Sequence, residues 1–208
     1  MREAAIALFG REGFGVPLRT IASDAGITAG RIVQLFDSKD GLQRACDEHV
    51  FGMIREGKRE SMRPGSGTSV FLGMLADLDD RVPYMAYAAR SVQAGGQHAR
   101  EFIDHVVDDA VAYVTEYVAG GAVLPSRDER ARVRYLVESS LGHLALRLSL
   151  DAPRSSEELA DSFRRYVGDV TLPALELYTQ GFLTDRRMLD AYLLYVGDPP
   201  GQDQAESA

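Results

Sequence analysis

The segment over residues 17–42, PLRTIASDAGITAGRIVQLFDSKDGL, constrains the fold of this chain more than any other part of it. It predicts two short helices that are joined by a tight turn and followed by the start of a third. Gly26 supplies the positive φ that a sharp helix C-terminus needs, and Thr28 is a good N-cap for the helix that follows. In that helix Ile32 and Phe36 lie four residues apart and pack inward. The pattern predicts a helix-turn-helix, a motif that places its second helix in the DNA major groove.

The outward positions of this motif are the candidate contacts to DNA. Arg31 has the donors to pair with two acceptors of guanine, and Gln34 can pair with adenine in the same way. Arg19 and Lys39 lie at helix starts, where free N–H groups and the helix dipole attract phosphate. For each residue taken alone, the alternative is a solvated surface side chain. The predicted DNA contacts are Arg19, Thr28, Gly30, Arg31, Val33, Gln34 and Lys39.

This part of the sequence resembles the DNA-binding domain of the TetR/AcrR family of repressors. The resemblance is carried by Ala4-Ala5, Leu8-Phe9, Arg11-Glu12-Gly13-Phe14, Ile21-Ala22, Ala25-Gly26-Ile27, Phe36, Ser38-Lys39 and Leu42. Three positions depart from the family pattern: Pro17 replaces a Ser or Thr cap, Val33 replaces a Tyr that touches the DNA backbone, and Leu35 replaces a His. Because of these departures, the family's full contact set cannot be carried over. The resemblance implies a ligand-responsive transcriptional regulator, a repressor in most members, that binds a palindromic double-stranded DNA operator as a homodimer.

The distribution of charge bears on this interpretation. The chain has a net charge of −8, yet residues 1–60 hold 9 Lys+Arg and 9 Asp+Glu, so the excess acid lies in the remainder. A neutral DNA-binding part steers weakly toward DNA at long range. The neutrality, together with Val33 and Leu35, supports an alternative of another class: a helical module that binds a small molecule or a protein and has lost DNA binding.

Every periodic stretch of the chain predicts helix, and no strand pattern is present. We therefore predict an all-α fold with an N-terminal three-helix helix-turn-helix domain over residues 1–45. A C-terminal helical domain for ligand binding and dimerisation follows over 46–196, and the tail over 197–208 is expected to be disordered. A long helix that starts after Ser38 should link the two domains. Pro173 should kink or divide the helix that contains it.

Apolar stripes in the C-terminal half predict a dimer interface. Four positions between residues 137 and 148 repeat at spacings of 4, 3 and 4, which places them on one helix face. The resemblance implies that this helix and the next long one form a four-helix bundle with a second copy. The alternative is an ordinary core within one chain. The predicted interface residues are Val137, Leu141, Leu144, Leu148, Leu172, Leu175 and Tyr178.

Aromatic residues with a polar tip, together with flexible methionines, predict a cavity for a small-molecule effector. The alternative is a packed core whose hydroxyl groups are satisfied by hydrogen bonds. The effector itself is not identified by the sequence. The predicted lining residues are Phe71, Met74, Tyr84, Tyr87, Phe102, His105, Tyr113 and His143.

Other classes of function find little support. The sequence has no GxSxG, HExxH, phosphate-loop, CxxC or dinucleotide-binding pattern, so we expect no enzyme activity and no cofactor. The DHVVDD stretch at 104–109 could hold a metal, but a solvated acidic face is the simpler interpretation, and no metal site is predicted. No apolar run approaches the ~20 residues that a membrane helix needs. The single cysteine, Cys46, and the lack of a signal-peptide pattern lead us to expect a cytoplasmic protein without membrane attachment.

Overall fold

The computed structural model describes residues 1–61, 72–73 and 75–197, and within these ranges it contains helices and no strands. The predicted all-α fold is therefore confirmed. Phe71, Met74, the loop at 63–67 and residues 198–208 of the predicted tail lie outside the described residues. The α-helices are α1 (Arg2–Glu12), α2 (Leu18–Asp24), α3 (Ala29–Phe36), α4 (Lys39–Ser61), α5 (Val82–Ala94), α6 (Gly96–Ala119), α7 (Glu129–Asp151), α8 (Ser156–Gln180) and α9 (Arg187–Gly197).

Local sequence signals set the ends of the N-terminal helices. Gly13 follows α1 with φ 80°, and Gly26 takes φ 66° in the turn between α2 and α3. The backbone N–H of Arg31 donates to Thr28 Oγ1 at 3.2 Å, so Thr28 caps α3 as predicted. The N–H of Gly41 donates to Ser38 Oγ at 3.0 Å at the start of α4. The helix-turn-helix predicted over 17–42 is therefore present as α2 and α3.

The chain divides into two compact units, residues 1–167 and 168–208, and the division falls within α8. Pro173 lies inside α8, which continues to Gln180, so it does not divide the helix, and the other predicted outcome, a kink, stays a prediction. The predicted domain boundary after residue 45 falls within α4, which runs through it without a break. The N-terminal helices also share their core with later ones, because Phe9 and Ile32 belong to the same buried cluster as Tyr87 and Phe102.

A second buried cluster corrects the predicted dimer interface at two positions. Leu144 and Leu148 are 5% and 2% exposed, and they pack with Val82, Leu159 and Phe163 in the core of unit 1–167. Their side chains are therefore covered by this chain itself and are not free to meet a partner. Val137 and Leu141, from the same stripe, are partly buried against the first cluster. The stripe read from the sequence is thus the inward face of α7.

Candidate DNA-binding surface

The outward face of α3 follows from how the helix is anchored. Ile32 is fully buried in the N-terminal core, and Phe36 packs against the same cluster. The positions between them consequently face solvent, including Val33 and Leu35 at 44% and 50% exposed. These two apolar side chains contact no core, so the departures from the family pattern lie on the surface that would meet DNA.

Arg31 and Gln34 form a pair on this face. Arg31 Nη1 donates to Gln34 Oε1 at 2.7 Å, so the two side chains lie along one row of the helix. Both residues are exposed. The guanidinium keeps its other donors, and the Gln34 amide keeps its own N–H groups. The structure therefore brings together the two residues that were predicted to read bases.

Gly30 leaves an open space at the start of α3. A Cβ built on it would have Thr28 Oγ1 as its nearest neighbour, at 4.0 Å. Packing within the chain therefore does not require glycine at this position. A side chain placed there would project from the same exposed end of α3 that carries Arg31.

Four cations of this region form no ion pair with any residue in the described part of the chain: Arg19, Arg31, Lys39 and Arg44. Basic residues further along α4 are different. Arg55 Nη1 lies 3.1 Å from Asp109 Oδ2, and Arg59 Nη2 lies 3.2 Å from Glu116 Oε1. These four cations are therefore not neutralised by an ion pair within the described residues, although Asp24, Asp37 and Asp40 of the same segment form none either. Arg44 was not predicted, because only its exposure in the fold distinguishes it.

Lys39 forms a hydrogen bond to the backbone in addition to carrying a charge that no carboxylate of the described residues pairs with. Its Nζ donates to the backbone oxygen of Phe14 at 2.5 Å, which ties the loop after α1 to the start of α4. An ammonium group has three donors, so two remain for a phosphate. Sequence spacing gave no signal of this bond, because its partners are 25 residues apart.

The turn between α3 and α4 is too tight for a side chain at Gly41. A Cβ on Gly41 would lie 1.8 Å from the backbone oxygen of Phe36. Asp37, within the same turn, takes φ 64°. Gly41 was not predicted as a constrained position, although a glycine in the first turn of a long helix is a signal, since glycine disfavours helix. Gly41 therefore allows the first turn of α4 to approach the last residue of α3 closely, and this approach sets the angle between the two helices.

Phe51 of α4 contacts two of the predicted effector residues, Phe102 and His105, and Tyr87 belongs to the same buried cluster. Tyr87 and Phe102 are 0% and 2% exposed, and the Phe102 ring centroid lies 4.9 Å from that of Phe51. His105 stacks on the Phe51 ring, with 3.9 Å between the ring centroids and 14° between the ring planes. Tyr87 Oη donates to Asp47 Oδ1 at 2.7 Å. The helix that begins at the DNA-binding motif therefore reaches directly into this group.

Tyr84 packs against the same buried cluster as Tyr87 and Phe102, and its Oη donates to Glu3 Oε2 at 2.9 Å. Tyr113 belongs to a separate buried cluster with Tyr117. His143 is exposed, and its ring meets Tyr166 edge-on at 5.4 Å. The six described members of the set are thus divided among two buried clusters, or the residues packed on them, and an exposed position, while Phe71 and Met74 lie outside the described residues.

Asp47 has an unusual environment in the middle of this region. Burial raises the pKa of its carboxyl, while the hydrogen bond from Tyr87 and the nearby His98 and His105 act in the opposite direction. Gln43, one turn earlier on α4, places its Nε2 3.1 Å from His98 Nε2. Polar links thus connect α4 to both α5 and α6.

The acidic stretch on α6 is occupied by ion pairs. Asp104, Asp108 and Asp109 pair with Arg134, Arg130 and Arg55 respectively. Among the described residues, no group of three or more His, Cys, Asp or Glu side chains is placed to hold a metal ion. No helix in the same residues combines the length and apolar character that spanning a membrane requires.

Two family models match this chain, one in its N-terminal part and one in its C-terminal part, and a known protein matches most of its length. Residues 2–46 match the family "Bacterial regulatory proteins, tetR family", and residues 79–184 match "Tetracyclin repressor-like, C-terminal domain". The HTH-type transcriptional regulatory protein RaaS of Mycobacterium tuberculosis is 42% identical over 193 residues, which cover 93% of this chain and 90% of that protein.

A crystal structure from Rhodococcus sp., assigned to the TetR family of transcriptional regulators, shares the fold. It aligns with a TM-score of 0.52 and 16% identity over 81% of this chain and 95% of that chain. The two family matches and the extent of the likeness to RaaS agree with the helix-turn-helix found in α2 and α3. This chain therefore belongs to the TetR family of DNA-binding transcriptional regulators, which are not enzymes.

Proposed function

We propose that the chain is a ligand-responsive regulator, a repressor in its basal state, that acts in the cytoplasm as a homodimer on a two-fold operator. One observation carries the proposal: α3 presents Arg31 and Gln34 outward, among cations that are free of carboxylate partners in the described residues. A single helix-turn-helix buries too little surface to be both tight and specific, so two copies on two half-sites are the physical expectation.

The contacts divide into two kinds. Arg31 and Gln34 read base edges in the major groove, with Gly30 and Thr28 allowing close approach and Val33 available to a thymine methyl group. Arg19 and Lys39 bind phosphate and set the register of the protein on the duplex. Leu35 and Arg44 are exposed as well, and they add an apolar and a phosphate-binding candidate.

The outward face of α7 is the better candidate for a dimer interface within residues 1–167. Tyr135, Leu146 and Leu150 are 70%, 55% and 69% exposed, and they lie on one row with the small residues Ser139 and Gly142. Small residues let two helices approach closely, and the flanking apolar side chains gain free energy when they are covered. We propose that a second copy covers this row.

The unit over residues 168–208 has exposed apolar residues of its own. Leu172, Leu175 and Tyr178 of α8 are 70%, 43% and 62% exposed. α9 exposes further large apolar side chains, among them Tyr192 and Leu194 at 61% and 75%. Apolar surface of this extent marks an interaction site. We propose that these residues of α8 also contact the second copy.

For the effector response, α4 is the connecting element. It has 23 residues, about 34 Å in all, and Phe51 lies 12 residues, about 18 Å, beyond Lys39, where α4 begins after the turn beside α3. A ligand that inserts beside Phe51, Tyr87 and Phe102 must displace part of that packing and so shift α4. A differential affinity of ~1–3 kcal/mol for the shifted state would weaken operator binding ~5–150-fold.

A gel shift with the promoter DNA beside the protein's own gene tests the central part of this proposal. A specific complex that competitor DNA does not remove, together with a dimer mass near twice 22.8 kDa by light scattering, is the expected result. A monomer at micromolar concentration, or equal retention by specific and random DNA, would contradict it. Candidate effectors are then titrated into the complex and compared between wild type and Tyr87→Phe.

A further inference from the structure

The C-terminal end of α1 is held by an arginine from another helix. Arg90 of α5 donates from Nε to the backbone oxygen of Gly10 and from Nη2 to that of Arg11, each at 3.1 Å. These carbonyls belong to the last turn of α1, where no intrahelical donor remains for them. A cation there is also favoured by the helix dipole. Arg90 is half-buried, and its remaining nitrogen, Nη1, bonds to a residue outside α1.

That contact continues to α7. Arg90 Nη1 donates to Gln93 Oε1 at 2.9 Å. Gln93 Nε2 in turn donates to the backbone oxygen of Ala145 at 2.9 Å and to Ser149 Oγ at 2.8 Å. A continuous line of hydrogen bonds, which we call the Arg90–Gln93 relay, therefore joins the first helix of the DNA-binding region to α7.

Close packing beside the relay makes the joint between α1 and α5 stiff. A Cβ on Gly10 would lie 2.9 Å from Ala86 Cβ and 3.1 Å from the backbone nitrogen of Tyr87. The two helices thus touch almost backbone to backbone at this point. Such a contact permits little sliding, because a small displacement brings atoms into overlap. The close contact and the relay together restrict how α1 can turn relative to α5 and, through Gln93, relative to α7.

We propose that Arg90 and Gln93 are positioning residues that determine which spacing of operator half-sites the protein accepts. The proposal rests on the proposed function, in which two copies joined through α7 place one α3 each on a two-fold operator. In that dimer α7 lies at the contact between the two copies, and α1 belongs to the helix-turn-helix domain. The relay therefore fixes the distance between the two helix-turn-helix domains. Without it, the dimer would accept a range of half-site spacings with similar affinity.

The relay bonds are of a kind that resists small rotations. Two donors of one planar guanidinium hold two successive carbonyls, so both distance and direction are constrained. Removing the guanidinium leaves two carbonyls of the last turn of α1 without donors. A rotation of α1 at Gly10 would carry α3 with it, because Phe9 of α1 and Ile32 of α3 pack in the same buried cluster.

The experiment uses full-length protein and a series of operator duplexes in which the half-site separation is changed by one or two base pairs. Operator affinity is measured for wild type, Arg90→Gln, Arg90→Lys and Gln93→Met. Arg100→Gln and Gln97→Met are matched controls, since Arg100 and Gln97 are exposed on α6 and bond with each other on that helix. The salt dependence of binding is recorded for each variant, because it reports phosphate contacts rather than geometry.

The expected result is that Arg90→Gln and Gln93→Met reduce the preference of wild type for its best spacing by about fivefold or more, with an unchanged salt slope. Arg90→Lys, which can still donate to one carbonyl, should retain part of the preference, and the controls all of it. A wild-type preference that survives in Gln93→Met overturns the relay even if Arg90→Gln fails to fold. Wild type that shows no dimeric DNA complex instead contradicts the proposed function itself.

Discussion

Leu144 and Leu146 lie two residues apart on α7 and face opposite sides, so they separate the core of one chain from its outer surface. Leu144 is 5% exposed among Val82, Leu159 and Phe163, whereas Leu146 is 55% exposed. Truncating a buried leucine to alanine costs about 2–5 kcal/mol through lost burial and the cavity left behind. For a chain of this size each kcal/mol lowers Tm by about 2–4 °C, so Leu144→Ala should lower Tm by about 4–20 °C.

Leu146→Ala should have the opposite profile. A surface truncation changes protomer stability by no more than about 0.5 kcal/mol. If α7 lies in the dimer, however, the same change should raise the dimer dissociation constant by about tenfold, the effect of 1.4 kcal/mol. Thermal unfolding is followed over a hundredfold range of protein concentration, since the Tm of a dimer depends on concentration. Sedimentation equilibrium gives the dissociation constant directly.

The opposite effects of the two substitutions would refute the assignment of Leu144 to the core and Leu146 to the contact between copies. If Leu144→Ala loosens the dimer while leaving the unfolding of the protomer unchanged, then Leu144 belongs to the interface, as the sequence pattern suggested. If Leu146→Ala has no effect on either quantity, the outward row of α7 is not the contact between copies.

Three further changes test local features. Gly41→Ala should destabilise the protein by about 3 kcal/mol or more, because the added Cβ meets the Phe36 oxygen, whereas Gly52→Ala in the open middle of α4 should not; equal Tm values would contradict this. Gly30→Leu should leave Tm unchanged and weaken operator binding by about 1–3 kcal/mol, as measured by anisotropy; unchanged binding would remove Gly30 from the interface. Asp47→Asn should raise the free energy of unfolding at pH values above the ordinary carboxyl pKa. Because the pKa of Asp47 is raised in the folded protein, wild type loses stability as the pH rises from the ordinary pKa toward the raised one, and the neutral asparagine does not. A difference in urea unfolding that does not depend on pH would argue against this.

Local signals predicted the N-terminal part of the fold well. Gly13, Gly26 and Thr28 end and begin helices through backbone conformation and capping, which depend on neighbouring residues only. For the same reason the face of α3 could be derived from the spacing of Ile32 and Phe36. These inferences needed no knowledge of which distant elements pack together.

The C-terminal part was harder because a helical stripe does not say what covers it. The Leu144 and Leu148 stripe has the spacing of an interface, but α5 and the first part of α8 cover it within one chain. The described effector candidates lie in more than one buried cluster for a related reason: an aromatic residue indicates burial but not which residues will surround it. Arg90 and Gln93 carried no local signal, since their partners are 52 to 80 residues away.

Base reading by Arg31 is tested most directly by comparing the affinity of the protein for two DNA duplexes. Affinities of wild type, Arg31→Ala and Arg19→Ala are measured for the operator and for a scrambled duplex of equal length, at several salt concentrations. Arg31→Ala should lose about 1–3 kcal/mol per half-site on the operator and little on the scrambled duplex, whereas Arg19→Ala should weaken both equally and flatten the salt slope. Equal losses of Arg31→Ala on both duplexes would contradict the account.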